Sequence, residues 1–543
     1  MKRATPALAL ILAALAAPAT RASDPAIVPV KLVLEGDTVT GVGLITTVDN
    51  VAVNGVGGWL VESDTNNADT NIDSVVLGPA GLAFQEGQAL ALPAGATLDS
   101  FDALTLNDAG QTGWNLFLDG TTGTTDDTGI YRGADLVLQE GTLSGAAGFS
   151  AGTPYIGFFE TRFNDNDQIL VIASVDDPLL ASTVDRALVI FQLDGLGALV
   201  SETVVAKEGD VLPGQGFAAA DFGTGPHNFD FNDAGDVMFF VDTVDPVTTA
   251  DGAIYLNSTV LAQEAGASPI AGRPWLSLSS SVMDLSNNGL HTVLRGQLAA
   301  PTTDDQLVVL DGAEFVQEGD TLADISPFLL TAFGTGALRV TDGGDVVWIG
   351  DWDDPVTTQD VGLFYNHQLL VQEGVTLIDG VLVESIATVQ DNFAVSADGR
   401  YIVFEASLTG GVNGAFLLDR GPWQDLGGAD AGTNGAVRLL GSGSLASGSP
   451  VSLTVERALP GAPAALVLGA SLANVPFNGG VLVPSFDLLI LGLTVDASGE
   501  LFLTGTWPAG VPSGFTVYAQ VFVTDAGAVG GLAGSNGVVG TAP

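Results

Sequence analysis

FNDAGDVMFFVDTVDPVTTADGAIYLNSTVLAQEAG, residues 231–266, contains the organisation of most of the chain in one unit. A polar turn closes on Gly235, and an apolar run through Phe239 follows it. An acidic loop, residues 242–251, leads to a second apolar run ending at Tyr255, and a third run ends in Gln263-Glu264. Asn and Asp bond their own backbone in turns and Gly supplies positive φ. Short β-rich runs between such turns read as antiparallel strands.

The turn recurs seven times. It begins at Asn54, Asn107, Asn164, Asn232, Ser286, Thr341 and Ser396, and from Gly57 to Gly399 is 342 residues in six steps, a mean period of 57. Trp59, Trp114, Phe239, Trp348 and Phe404 follow the turns, where packing between neighbouring repeats is their expected role. A fourth run precedes each turn, as at residues 337–340. Four short strands per period is the pattern of a propeller blade.

The ends of the array support that reading. The seventh copy stops at Asp419-Arg420 without a Gln-Glu-Gly strand, whereas residues 28–37, VPVKLVLEGD, look like one that precedes the first turn. Pairing of Lys31 to Leu34 with the strand around residues 415–418 would remove the open edges. The expected fold is all-β: a seven-bladed β-propeller over residues 24–423, closed by an N-terminal strand, then a small β-sandwich over residues 424–543, where apolar runs alternate with Gly, Pro and Ser turns.

FNDAGDVMFF and LNDAGQTGW, followed by Gly-Ile-Tyr and Val-Gln-Glu-Gly-Asp, resemble the tandem NxxGxxAF repeats of secreted bacterial choice-of-anchor proteins across roughly residues 28–420. The third and fifth copies depart from the NxxG pattern. VSADGRYIVF in the seventh copy is similar to the repeat of TolB-type propellers, and residues 479–520 resemble a terminal module of planctomycete-like secreted proteins. None of these resemblances brings a catalytic motif.

Residues 1–22 read as an export signal, with Lys2 and Arg3 ahead of an apolar run and small residues for cleavage. The expected location is therefore secreted, at the cell surface or periplasmic. The chain has no Cys, which excludes disulfides and thiolate chemistry. Without residues 1–22 it holds 12 basic and 63 acidic residues, a net of −51. That charge opposes nucleic acid and anionic lipid and favours a soluble monomer; no apolar run is long enough for membrane insertion.

His227, His291 and His367 lack metal-ligand spacing, and no HExxH, GxSxG, P-loop or Rossmann pattern occurs. Glu35, Glu86, Glu140, Glu208, Glu264, Glu318 and Glu373 repeat at one position, which suits a structural role, since a reaction centre breaks symmetry. The acidic loops offer candidate calcium ligands, Asp242, Asp245, Asp251, Asp351, Asp353 and Asp354, without matching an EF-hand. The expected function is a non-catalytic propeller that presents a binding face to an extracellular protein or polysaccharide. The alternative is a polysaccharide hydrolase or lyase, which would need the insertion at residues 176–203 folded over the central axis beside a polar pocket.

Overall fold

The computed structural model describes residues 17–18, 28–181, 184–223, 225, 228–278, 282–334, 336–388, 391–512 and 514–542. The described residues form short antiparallel strands without an α-helix, and one 3-10 turn lies at Val529–Gly531. Two compact units divide them: Pro29–Ala397 with Tyr401–Leu417, and a second unit made chiefly of Leu418–Pro543. The export signal falls almost wholly outside the described residues.

The first unit holds one antiparallel sheet for each of the seven turns. In the fourth, Phe229–Phe231 pairs with Val237–Thr243, which pairs with Gly252–Leu256 and then with Thr259–Gln263. The strand before the turn is thus innermost, and the run into Gln-Glu-Gly outermost. In the fourth to seventh sheets the innermost strand is broken in two, as at Ala219–Asp221 and Phe229–Phe231. The long third copy carries no loop insertion of the expected kind. Its four strands, from Tyr155–Phe163 to Leu199–Lys207, are eight or nine residues each, so Arg186–Leu193 and the start of Leu199–Lys207 lengthen the sheet.

In the seventh sheet the outer strand is Val30–Leu34. Lys31 lies opposite Phe416, Val33 opposite Ala415 and Leu34 opposite Gly414, which is the pairing that the split copy required. Glu35 then does for the last copy what its equivalents do elsewhere. Its carboxylate accepts the Asn413 backbone N–H at 3.0 Å, as Glu86 accepts that of Ser74 and Glu264 that of Gly252.

The turns explain why the copies tolerate variation. The first turn residue accepts a backbone N–H from four or five residues ahead in every copy. Asn54 accepts Gly58 and Asn107 accepts Gln111, while the hydroxyls of Ser286, Thr341 and Ser396 accept His291, Asp345 and Tyr401. In the third copy Asp167 replaces the usual Gly and still takes φ 55°. The second turn residue reaches across to the preceding sheet. Asp108, Asp165 and Asp233 accept the backbone N–H of Gly55, Asp108 and Asp165 at 2.6 to 2.7 Å; Asn287 accepts that of Asp233, and Asp342 that of Asn288. A motif that reads as a local reversal is also a clasp between sheets.

Apolar clusters fill the spaces between adjacent sheets. Trp114 packs with Ala52, Leu60 and Val76 of the preceding sheet, and Trp348 with Val293 and Val308 of its own predecessor. Val33, Val403 and Ala415 of the seventh sheet share a cluster with Val51 and Val61 of the first. Trp114, Phe239, Trp348 and Phe404 are buried, and Trp59 is half-buried against the cluster shared by the first and seventh sheets.

The second unit has two larger sheets around one core. Arg438–Ser442, Pro450–Glu456 and Leu501–Thr506 form one; Trp423–Asp425, Val538–Thr541, Thr516–Thr524, Pro463–Gly469 and Leu488–Thr494 form the other. Leu439, Leu453 and Leu503 from the first meet Leu466 and Val521 from the second. Leu472–Phe477 and Gly480–Pro484 form a hairpin, and Gln520, fully buried, ties it to the second sheet by accepting the Val483 N–H and donating to the Val481 carbonyl.

Candidate functional site

The innermost strands of all seven sheets converge on one cavity of about 230 Å³. The residue two before each turn faces the same register position, and around the sheets it reads Ala52, Thr105, Arg162, Asp230, Asp284, Arg339 and Ala394. At this position one side of the cavity is charged and the other small. The repeat that is symmetric in its turns and its outer glutamates is not symmetric here.

On the charged side, Arg339 donates to Asp284 at 3.2 Å and the Arg162 Nε lies 3.8 Å from Asp230. Arg162 also lies 4.0 Å from Glu160 and over the Phe229 ring at 5.3 Å. Each aspartate additionally accepts a backbone N–H from the innermost strand of the next sheet, Leu285 for Asp230 at 2.7 Å and Val340 for Asp284 at 2.6 Å. Innermost strands of adjacent sheets form no ladder with each other, so these carboxylates satisfy donors that would otherwise be buried unmade. Burial, then the neighbouring Asp230 charge, pushes Asp284 up to about 8 against the pull of Arg339. Burial likewise raises Asp230, with Arg162 and Arg339 opposing. On the far side Asp391 lines the cavity, and Glu405 is raised well above the carboxylate range by burial and then by Asp49, Asp391 and Glu62.

None of the described residues between 176 and 203 lines this cavity, so among them there is no lid of the kind that the enzyme reading asked for. The cavity is nevertheless not walled by small apolar side chains alone. Sequence reading missed Arg162, Asp230, Asp284 and Arg339, although one signal was available: the position two before the turn changes character from copy to copy.

The seven repeated glutamates behave as turn residues. Glu208 accepts the backbone N–H of Asp185 and Arg186, and Glu318 those of Asp305 and Gln306. Glu140, Glu318 and Glu373 are each pushed up to about 7, first by burial and then by the adjoining Asp127, Asp305 or Asp360.

The candidate calcium ligands are dispersed over two sheets. Asp245 and Asp354 cap their own loops by accepting the Val247 and Val356 N–H, both at 2.8 Å. Asp353 accepts the Leu329 N–H at 2.7 Å and Asp351 the Thr331 hydroxyl at 3.0 Å. Asp242 is pushed up to about 6 by burial and then by Asp251, Glu264 and Asp221. Among the described residues no group of three or more His, Asp or Glu is arranged to hold a metal ion. His291 pairs with Asp311 at 2.8 Å, His367 stacks on Phe315, and His227 lies outside the described residues.

A family of unknown function, DUF7453, matches residues 36–263, which span the first four copies. No curated protein matches the chain in sequence. Solved structures that resemble it include a gluconolactonase of Xanthomonas campestris, 10% identical over 70% of this chain and 97% of that one, with a TM-score of 0.27. Trypanosoma rangeli sialidase is 9% identical over 95% of this chain and 96% of its own, at 0.25. A glycoside hydrolase family 32 protein of Bifidobacterium adolescentis is 11% identical over 94% and 96%, at 0.20. At these scores the likenesses carry no argument about the activity of this chain.

Proposed function

We propose that the chain is an exported, seven-bladed β-propeller closed by its N-terminal strand and followed by an accessory β-sandwich, and that it binds a polar extracellular ligand in its central cavity. One observation carries the binding role. The position facing the cavity breaks the sevenfold pattern, Arg-Asp-Asp-Arg on one side and Ala, Thr and Ala on the other, where packing alone would favour the same small residue in every copy. The charged groups are positioned by bonds to neighbouring strands, so they meet a ligand preorganised. The resemblance to secreted repeat proteins and the net charge agree with an extracellular monomer.

A second reading, a polysaccharide hydrolase or lyase, is favoured by two buried carboxyls, Asp230 and Asp284, that line the same cavity and are both raised by burial, the kind of pair that general acid–base chemistry uses. Both readings are tested by titrating polysaccharides and acidic, neutral and basic oligosaccharides by calorimetry while assaying for released reducing ends. Ala394→Phe, which narrows the cavity from the side opposite the Arg–Asp pairs, is expected to abolish binding. Binding without product supports the first reading, and product lost in Asp284→Asn the second. A ligand bound equally by Ala394→Phe refutes the cavity as the site.

A further inference from the structure

The second unit carries a cavity of a different kind. About 500 Å³ in volume, it opens on the outer face of the larger sheet, beside the hairpin that Gln520 anchors. Ala465, Val467 and Phe522 form its floor, and Phe477, Leu489 and Leu491 its sides. Phe477 is braced edge-on against Phe522 at 5.3 Å. At the lip Phe486 is 63% exposed and Leu491 70%.

A bulge lies in the edge strand beside this cavity. Ala464 pairs with Leu493 and Leu466 with Ile490, so Ala465 faces two residues, Leu491 and Gly492, and Gly492 takes φ 83°. The extra residue kinks the edge strand. Leu489 and Leu491 face outward by ordinary alternation, over a floor that the small Ala465 leaves deep, and the bulge returns Leu493 to the core beside Leu488 and Ile490.

The lining decides the class of occupant. Thr524 is the one side chain of the lining that bears a hydrogen-bonding group. A peptide or sugar buried there would lose its hydration and find almost no partner, because every peptide unit carries an N–H and a C=O that need one. A hydrocarbon chain brings no such group, and it removes from water both its own surface and that of the exposed leucines and phenylalanines. The volume falls within the range of small-ligand sites. We propose that this cavity binds a single hydrocarbon chain of an amphiphile.

The test uses the full chain and a fluorescent polyene fatty acid, cis-parinaric acid, displaced by dodecanoate below its micelle concentration. Saturable uptake near one per chain is expected, with at least a tenfold loss in Ala465→Phe, which fills the floor. Leu491→Asp, an exposed position that leaves the core untouched, gives a second variant should the first fail to fold. Flotation with phosphatidylcholine vesicles separates the two sources of such a chain. Flotation lost in Ala465→Phe means the chain comes from a bilayer, and probe uptake without flotation means a free amphiphile. No saturable uptake, or uptake unchanged in both variants, overturns the proposal. A wild-type dimer that Leu491→Asp dissociates, and that takes up no probe, overturns it too, since a second copy would then cover the cavity.

Discussion

Replacing Glu140, Glu318 and Glu373 together by Gln should stabilise the protein at pH 8 and leave it unchanged near pH 4.5. Each of these carboxyls is buried against an aspartate and pushed up to about 7 in the fold, from an ordinary 4.5. A raised acid binds more protons folded than unfolded. Its stabilising contribution is complete below 4.5 and is lost as pH rises through about 7. At about 1.4 kcal/mol per pH unit the ceiling is ~3 kcal/mol per site, and solvent screening reduces it to about 1 kcal/mol. Gln keeps an oxygen to accept the backbone N–H groups that Glu318 holds, and it offers Asp305 an amide N–H where a second negative charge stood. The three sites lie in separate sheets, so their effects should add to about 3 kcal/mol. With ~2 cal/mol/K of unfolding entropy per residue over the first unit, that is a rise in Tm of about 4 °C. Calorimetric melts of both proteins from pH 4.5 to 8 check it. Equal Tm at pH 8, or a variant less stable at every pH, refutes the reasoning.

Deleting residues 24–37 removes the strand opposite residues 414–417 and should cause aggregation or loss of cooperative unfolding; a monomer of unchanged Tm by light scattering and calorimetry would contradict this. Asp233→Ala strands the Asp165 N–H and breaks a contact with Asn287, so urea melts should show a loss of about 1–3 kcal/mol, whereas a loss below 0.5 kcal/mol would deny the clasp its role. Because the loop aspartates cap turns, melting curves in CaCl₂ and NaCl matched for ionic strength should coincide. A larger shift with calcium would restore chelation by residues 242–251 and 351–360.

Much of the architecture was legible because each repeat states its strands twice, once in the apolar run and once in the turn that bounds it. Even the split copy could be read, since Glu35-Gly36 repeats the signature of Glu86-Gly87 and Glu318-Gly319. The second role of Asp108, Asp165 and Asp233 was not legible. A side chain that accepts an N–H from 57 or 68 residues away leaves the same letters as one that closes its own turn. The broken inner strands were hidden for a related reason: Ala219–Asp221 and Phe229–Phe231 pair with one strand from positions that no local period connects. The length of the third copy misled in the other direction, because a longer sheet and an inserted loop add residues alike.

The central cavity shows where a repeat is most informative. Positions that agree in every copy, the outer glutamates and the turn residues, are fixed by a task that every sheet must perform, and their chemistry ends at the neighbouring backbone. A position that faces the cavity has no such shared task, since its neighbours across the cavity are other copies of itself. Seven identical charges there would repel and seven identical small residues would suffice for packing. Arg162, Asp230, Asp284 and Arg339 form two opposite-charge pairs on one side only, an arrangement that meets neutrality within the group while leaving the opposite wall, Ala52 and Ala394, free of bulk. Packing does not require that division of the cavity into a charged wall and an open one. The register position two before the turn, and not the repeated motif itself, is therefore where the proposed ligand should be sought.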